Sequence, residues 1–348
     1  MKKKLLVTPS MQESFLQALW ELSIFDKDSL VLFEKAIKSP KKNATYDSRL
    51  FQHIVETVTT ARNRNLINKK EQDKLKKSVV GFFGLSVGSH AALTWMMESR
   101  AHTIKICDPD SISPTNLNRL RCDMHTIFNQ KTSVIKKQLQ SINPYTTVIS
   151  TEDTSHKKTE ELFNKRPSLH IVVDAVDNLD SKVFLRKLAK KKKIPVLMAT
   201  DVGDNILIDV ERYDLLPQPD FFLGRVKNLD SIELSSLSEQ DRRKIVINIV
   251  GFEHNSEQML DSLFSIGTSL PTWPQLGATA TIAGGILTTV IKKIILSEDI
   301  QSGRYVISLD ETFVSDFNSE RKKIQRKKKI QKLRSKFGLV KLQAHETK

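Results

Sequence analysis

The 348-residue chain is poor in cysteine, in aromatic residues and in long apolar runs. Its two cysteines, Cys107 and Cys122, form no CxxC pair. A structural zinc of the usual four-ligand kind is therefore not expected. So few cysteines in a chain this long suggest a reducing compartment, and the location expected is cytoplasmic. The start, "MKKKLLVTPSMQES", has a basic tip but an apolar run of only three residues. A secretory leader needs about 7–15 apolar residues there, so export is not expected. The most apolar late segment is "LGATATIAGGILTTVIKKIIL", Leu276 to Leu296. Lys292 and Lys293 interrupt it, and Thr, Gly and Ala dominate its first half. A membrane span needs about 20 mainly apolar residues, so a buried helix is expected and no transmembrane segment.

What is present is a sizeable apolar fraction and an excess of positive charge. The length allows one large or two ordinary domains, and hydrophobic residues make up 39%, enough for a sizeable core. Lys and Arg number 55 against 40 Asp and Glu, a formal charge of +15. That excess favours polyanionic partners, whether nucleic acid, acidic lipid, nucleotide or acidic protein, and does not choose among them.

Residues 1 to about 70 read as helical. "ESFLQALWELSIF", "DSLVLFEKAI" and "LFQHIVETVTTARNRNLI" carry apolar residues at three- and four-residue spacing. "KSPKKNATYDS" reads as a loop, and "NKKEQDKLKK" as a charged linker. The pattern then changes to short apolar runs: "SVVGFFG", "HTIKICD", "TTVIS", "LHIVVDA", "IPVLMAT" and "NILIDVE". Helical segments such as "SHAALTWMMESR", "KTSVIKKQLQSI" and "SKVFLRKLAKKK" separate most of them. This alternation indicates an α/β fold with a doubly wound, mostly parallel sheet. The strand carboxyl ends then share one rim. "RYVISLD" is the last strand candidate, and about 215–275 reads as an irregular excursion. Three regions are expected: an N-terminal helical region 1–70, the sheet domain 71–315 and a basic tail 316–348. In Arg321–Lys336 ten of sixteen residues are basic and none is acidic. Such a run is either solvated or a basic amphipathic helix, since Ile330, Leu333 and Phe337 fall at helical spacing.

The chemistry gathers at the strand ends. The first strand runs into "GLSVGSHAA", where Gly84 and Gly88 bracket a tight turn with Ser86 between them. Such a turn lets backbone N–H groups and a helix amino end approach a phosphate. Asp108 ends the second strand, where a nucleotide-binding fold places the acid that accepts from ribose hydroxyls. To this point NAD and ATP fit alike. Arg119 and Lys131 follow within one loop-and-helix unit, and two cations beside a phosphate turn suit a triphosphate whose bond is cleaved. In "VVDAVDN", Asp174 ends the fourth strand and Asp177 lies three residues on, a natural place for a Mg²⁺ ligand.

The order of glycine turn, "DPDSISPTNLNR", a lysine with "INP" after it, "VVDAVDN", "IPVLMAT" and the late "PQLGATATIAGGI" is similar to the ThiF, MoeB and ubiquitin-activating enzyme superfamily. The similarity spans roughly Arg62 to Asp310, with an ill-matched middle from about 215 to 270. It implies a ThiF-type fold and ATP- and Mg²⁺-dependent adenylation of a carboxylate, usually the C-terminus of a small protein or peptide. By the same resemblance Asp108 holds the ribose and Asp177 the Mg²⁺. Asn116, Arg119 and Lys131 contact the phosphates, and Asp110 and Asn118 match the motif. The family also uses an arginine from the neighbouring subunit's N-terminal helix. Arg64 matches it best and Arg62 second, which implies a twofold homodimer. Many relatives carry a cysteine after the fifth strand, and "MATDVGDNILIDVERYD" has none. Cys107 is expected to pack in the core; Cys122, three residues past Arg119, is a candidate reactive thiol that does not match the family's position. Adenylation without a family-type cysteine step is therefore expected. The alternatives are a tRNA-modifying member of the family, a nucleotide- or nucleic-acid-binding module using the basic tail, or a nicotinamide-dependent oxidoreductase.

Overall fold

The computed structural model describes residues 8–41 and 46–339. The leader reading at 1–7, part of the loop expected over Lys38–Ser48 and the end of the basic tail at 340–348 lie outside them.

Three helices come first: α1 (Pro9–Ser23), α2 (Lys27–Lys38) and α3 (Ser48–Thr59). Thr8, Asp26 and Asp47 cap their amino ends by accepting backbone N–H bonds. Leu19, Leu32, Phe51 and Ile54 form their shared core. The charged segment expected as a linker is instead helix α4 (Lys69–Lys77). Asn68 and Glu71 form a capping box, and Leu75 is fully buried. One apolar residue in nine gives no visible periodicity, so the cap was the only local signal.

All seven expected strands form: β1 (Val80–Phe83), β2 (Thr103–Cys107), β3 (Thr147–Thr151), β4 (Ile171–Asp174), β5 (Val196–Val202), β6 (Asn205–Glu211) and β7 (Gly303–Ser308). They make one sheet in the order β3-β2-β1-β4-β5-β6-β7. β1 to β5 run parallel, and β6 and β7 add on antiparallel. The order reverses between β1 and β4, and a doubly wound sheet opens its crevice at such a point. One face is covered by α5 (Val87–Ser99), α6 (Lys131–Ile142) and α11 (Gly277–Ile295). The other carries α7 (His156–Asn164), α8 (Leu179–Lys192) and part of the excursion after β6. Helix α11 is long and apolar enough by length and composition to cross a membrane. Here Ala280, Ala283, Leu287 and Ile291 are buried in the core that it shares with α5 and the sheet.

The excursion is more regular than its prolines suggested. It contains α9 (Glu239–Val250) and α10 (Glu257–Ser265), capped by Ser238 and Ser256. After a short α12 (Leu309–Phe313), the basic run forms α13 (Glu320–Lys336), which packs on α10. Leu333 is fully buried among Phe252, Met259, Leu260 and Leu263. Lys322 pairs with Glu257 at 3.3 Å and Lys329 with Asp261 at 2.8 Å. Part of the run's charge is thus neutralised within the chain.

A buried charge network ties the sheet to α8. Arg186 Nη1 donates to Asp174 Oδ2 at 2.6 Å, and its Nε to Glu211 Oε2 at 2.8 Å; all three side chains are fully buried. The Tyr213 hydroxyl and the Phe222 N–H each donate to Glu211 at 2.7 Å. The Phe222 ring lies 3.6 Å from the guanidinium. Burial pushes the Asp174 pKa up, but Lys182 and Arg186 outweigh it and hold it below the usual carboxylate range. Asp174 is therefore a structural anion. Removing Arg186 would leave Glu211 with no cation and Asp174 with Lys182 alone, and breaking a buried pair in this way typically costs about 3–5 kcal/mol. Arg186→Leu should lower the urea-unfolding free energy by about that amount, and a loss under about 1 kcal/mol would show that the network is not what joins α8 to the sheet.

Candidate active site

The site is built on the turn after β1. Gly84 has φ +88°, and a Cβ there would meet the Ala175 carbonyl oxygen at 2.1 Å. Its N–H donates to the Cys107 carbonyl at 2.8 Å, and Ala175 N–H to the Phe83 carbonyl at 2.7 Å. The ends of β1, β2 and β4 are thus laced together. Helix α5 starts at once, with Ser86 as an N-cap whose side chain makes no capping bond. The α5 amino end is left open for an anion. Gly88 faces Ala175, with room for a Cβ only at 3.2 Å.

Asp108 sits beside this turn and is 3% exposed. It accepts from Leu85 N–H at 2.6 Å and from Asp110 N–H at 2.8 Å. Lys131, the first residue of α6, lies 3.5 Å from Asp108 and 2.7 Å from Asp110. Burial pushes the Asp108 pKa up, against Lys131 and the two N–H bonds. Each carboxylate oxygen keeps a second lone pair for a hydroxyl ligand. The loop between β2 and α6 folds on itself through a Ser111–Gln130 bridge and a small core of Ile112, Leu120 and Val134.

Arg119 projects from that loop. Its Nε donates to Ser86 Oγ at 3.2 Å, and its Nη1 to the Thr115 carbonyl at 3.1 Å and Asn118 Oδ1 at 3.0 Å. Asn116 is buried, and its side chain accepts the Ser113 N–H. Asn118 Nδ2 donates to the Gln275 carbonyl at 2.8 Å. Gly84, Ser86, Gly88, Asp108, Asp110, Asn116, Asn118, Arg119 and Lys131 therefore come together at the rim of β1 and β2. Asp177 is exposed in the turn between β4 and α8 and makes no side-chain ion pair among the described residues.

Arg64 is not part of this cluster within its own chain. The helix expected to carry it ends at Thr59, and Arg64 follows a single turn at Ala61–Asn63. It pairs with Asp26 at 3.2 Å and donates to Ser29 Oγ at 3.0 Å. Arg62 is exposed on the same turn. Cys107 is 1% exposed, and burial pushes its thiol up to about 12. Cys122 packs beside the Ile112 core. Among the described residues no group of three or more His, Cys, Asp or Glu is placed to hold a metal.

Sequence reasoning passed over Asp201, near the end of β5. It is 3% exposed, and neither carboxylate oxygen has a hydrogen-bond partner. Burial pushes its pKa up to about 6, opposed by Arg119 and the Gln275 amide, neither of which closes a hydrogen bond of good geometry. The only available signal was its position, a third acid at a strand carboxyl end.

A reversal point in a parallel sheet, a glycine turn opening a helix and an acid at the end of the next strand define a doubly wound α/β fold of the nucleotide-binding type. A sequence profile of the ThiF family matches residues 60–331, and the chain belongs to that family. It is 33% identical over 248 residues to the uncharacterized protein MT1398 of Mycobacterium tuberculosis, covering 71% of this chain and 34% of that one. Against tRNA threonylcarbamoyladenosine dehydratase 1 of Saccharomyces cerevisiae it is 27% identical, over 49% of this chain and 38% of the relative. Against molybdopterin-synthase adenylyltransferase of Haemophilus influenzae the identity is 28%, over 44% and 64%. The chain thus spans well under two thirds of the length of the first two relatives. The fold is that of E. coli MccB in its crystal structure with MccA-N7isoAsn, with TM-score 0.53, 18% identity and 81% and 85% coverage.

Asp201 yields a stability prediction with a definite sign. Its folded pKa of about 6 lies above the ordinary aspartate value of 3.8, so the native state holds the proton more tightly. Native stability is favoured below pH 3.8 and falls as pH rises to about 6. A shift of that size corresponds to about 3 kcal/mol. Asp201→Asn should therefore be more stable than wild type at pH 7.5, with the gap shrinking towards pH 4. Thermal unfolding across that range checks it, and a variant less stable at pH 7.5 would contradict it.

Proposed function

We propose that this chain activates a carboxylate with ATP, as an acyl-adenylate, and releases pyrophosphate. The supporting observation is the grouping of Asp108, Lys131 and Arg119 around the Gly84 turn. A carboxylate oxygen attacks the α-phosphorus, a P–O bond forms, and the bond to pyrophosphate breaks. Two anions must meet, so positive charge held in place is the main requirement. Asp108 accepts from the ribose with its free lone pairs. Lys131, with three donors and two carboxylate partners, turns one donor to the phosphates. The open amino end of α5 and Arg119 face the same phosphates. Asp177, exposed and without an ion pair among the described residues, would hold Mg²⁺, which would supply charge neutralisation on the polyphosphate; a single carboxylate plus phosphate oxygens is an ordinary Mg²⁺ set.

The acceptor proposed is the C-terminus of a small protein or peptide. Relatives named molybdopterin-synthase adenylyltransferase and sulfur carrier protein ThiS adenylyltransferase support that reading. A tRNA acceptor is the second reading, favoured by the basic outer residues of α13 and by relatives named tRNA threonylcarbamoyladenosine dehydratase. In either case the reading is of transfer without a family-type cysteine relay, since the stretch after β5 carries no cysteine and Cys107 is buried with a thiol that is hard to ionise.

Mg-ATP should raise the thermal midpoint more than NAD does, because a ligand that binds only the folded state stabilises it. Lys131→Ala should lose about 10²–10³ in ATP–pyrophosphate exchange once an acceptor is supplied. Stabilisation by NAD with no response to Mg-ATP would end the adenylation reading.

The homodimer is also a proposal, in which Arg64 exchanges its Asp26 partner for the neighbouring subunit's nucleotide. Arg64→Ala and Asp177→Asn dimers should each be inactive. After subunit exchange each heterodimer has one site with both defects and one with neither, so activity returns towards about half of wild type per heterodimer on isologous geometry. Folded, exchanging mixtures that stay inactive would place Arg64's role within its own chain.

A further inference from the structure

His90 is a buried titratable group with no part yet in the phosphate cluster. It is the fourth residue of α5 and is 2% exposed. Its Nε2 lies 2.5 Å from the Arg119 carbonyl oxygen, and its Nδ1 lies 3.4 Å from Thr281 Oγ1 on α11. A carbonyl oxygen can only accept, so Nε2 carries the proton and Nδ1 accepts from the Thr281 hydroxyl. Burial holds the imidazole pKa below its ordinary value; the Arg121 charge acts the same way, and the Arg119 carbonyl opposes both. The ring is therefore neutral at neutral pH.

Close packing surrounds it. A Cβ on Gly284 of α11 would stand 2.5 Å from His90 Cβ. Two turns earlier, a Cβ on Gly277 would stand 2.5 Å from the Asn118 carbonyl oxygen. Helix α11 is thus pressed against both α5 and the loop carrying Arg119, and His90 bridges all three.

Ser86 and His90 are four residues apart at the start of α5, so they stand one above the other. Ser86 Oγ accepts from Arg119 Nε at 3.2 Å, and His90 donates to the same arginine's carbonyl. Arg119 is gripped at both ends, the guanidinium by Ser86 and the main chain by His90. His90 supplies the only hydrogen bond to that carbonyl among the described residues. The other guanidinium partners, Thr115 and Asn118, belong to the same loop and would move with it.

We propose that His90 is a positioning residue for ATP: its neutral imidazole pins the Arg119 main chain to α5, so that the guanidinium stays over the phosphate turn. This rests on the adenylation reading, in which Arg119 meets the phosphates and not the nucleoside.

Calorimetric titration of the full-length protein with Mg-ATP and, separately, with adenosine tests it. Arg119→Ala should weaken Mg-ATP about 10–100-fold, as for a lost charged hydrogen bond, and leave adenosine within about twofold. His90→Leu should weaken Mg-ATP about 3–10-fold, again with adenosine within about twofold. His90→Gln, whose amide nitrogen reaches the Arg119 carbonyl, should restore most of the loss. In the Arg119→Ala background the carbonyl remains but the guanidinium is gone, so His90→Leu should cost Mg-ATP nothing further. Should His90→Leu not fold, His90→Asn takes its place with the same expectations, since its amide stops about where Nδ1 stands and short of the carbonyl. Unchanged Mg-ATP affinity, equal losses for Mg-ATP and adenosine, additive losses in the double variant, or a His90→Gln variant as weak as His90→Leu would each overturn the proposal while leaving adenylation standing. A wild type that binds neither ligand would bring down the adenylation reading and this proposal with it.

Discussion

The close approach of Gly84 to Ala175 is the constraint on which the site depends. With φ +88° and a backbone oxygen 2.1 Å from any Cβ, only glycine fits. That contact brings the ends of β1 and β4 together where the strand order reverses. It also aims Leu85 N–H at Asp108 and starts α5 with its amino end uncovered. The acid, the turn and the helix end are thus placed by one backbone feature. Lys131 then joins through Asp108 and Asp110, and Arg119 through Ser86.

The scaffold beneath is fixed by a second, opposite use of charge. Arg186 joins Asp174 and Glu211 in the core, with Tyr213, Phe222 and Lys182 completing their hydrogen bonds. Such a network gains little over apolar packing, but it fails badly if one member is lost. It therefore specifies where α8 and the excursion after β6 sit. Since α8 begins at Leu179, it also fixes the turn that presents Asp177.

Much of this was legible in the sequence. The seven strands are short apolar runs closed by turn residues, and the Asp108–Lys131 loop carries a motif dense enough to be read without a structure. Where reading failed, the deciding contact was distant. Leu75 is the lone apolar residue of α4, so its burial could not be seen in "KKEQDKLKK". The prolines near 217 and 219 dominated their neighbourhood and hid the serine caps of α9 and α10. The basic run left a solvated stretch and an amphipathic helix both open, because Glu257 and Asp261, which neutralise part of it, lie some seventy residues earlier. Arg64 read as helical because apolar periodicity says little about the last turn of a helix, and α3 stops at Thr59.

Asp174 and Asp201 make the same point from within the structure. Both are buried acids near the ends of neighbouring parallel strands, and in sequence they look alike. Asp174 receives a guanidinium, an ammonium and a backbone N–H. Asp201 receives nothing, although Arg119 and Gln275 stand nearby. Burial acts on both, yet it prevails only where no bond offsets it, so one pKa falls below the ordinary range and the other rises. A core could relieve Asp201 with an asparagine or an apolar residue. Keeping a carboxylate there instead costs stability once the pH passes about 6, where the buried group must give up its proton.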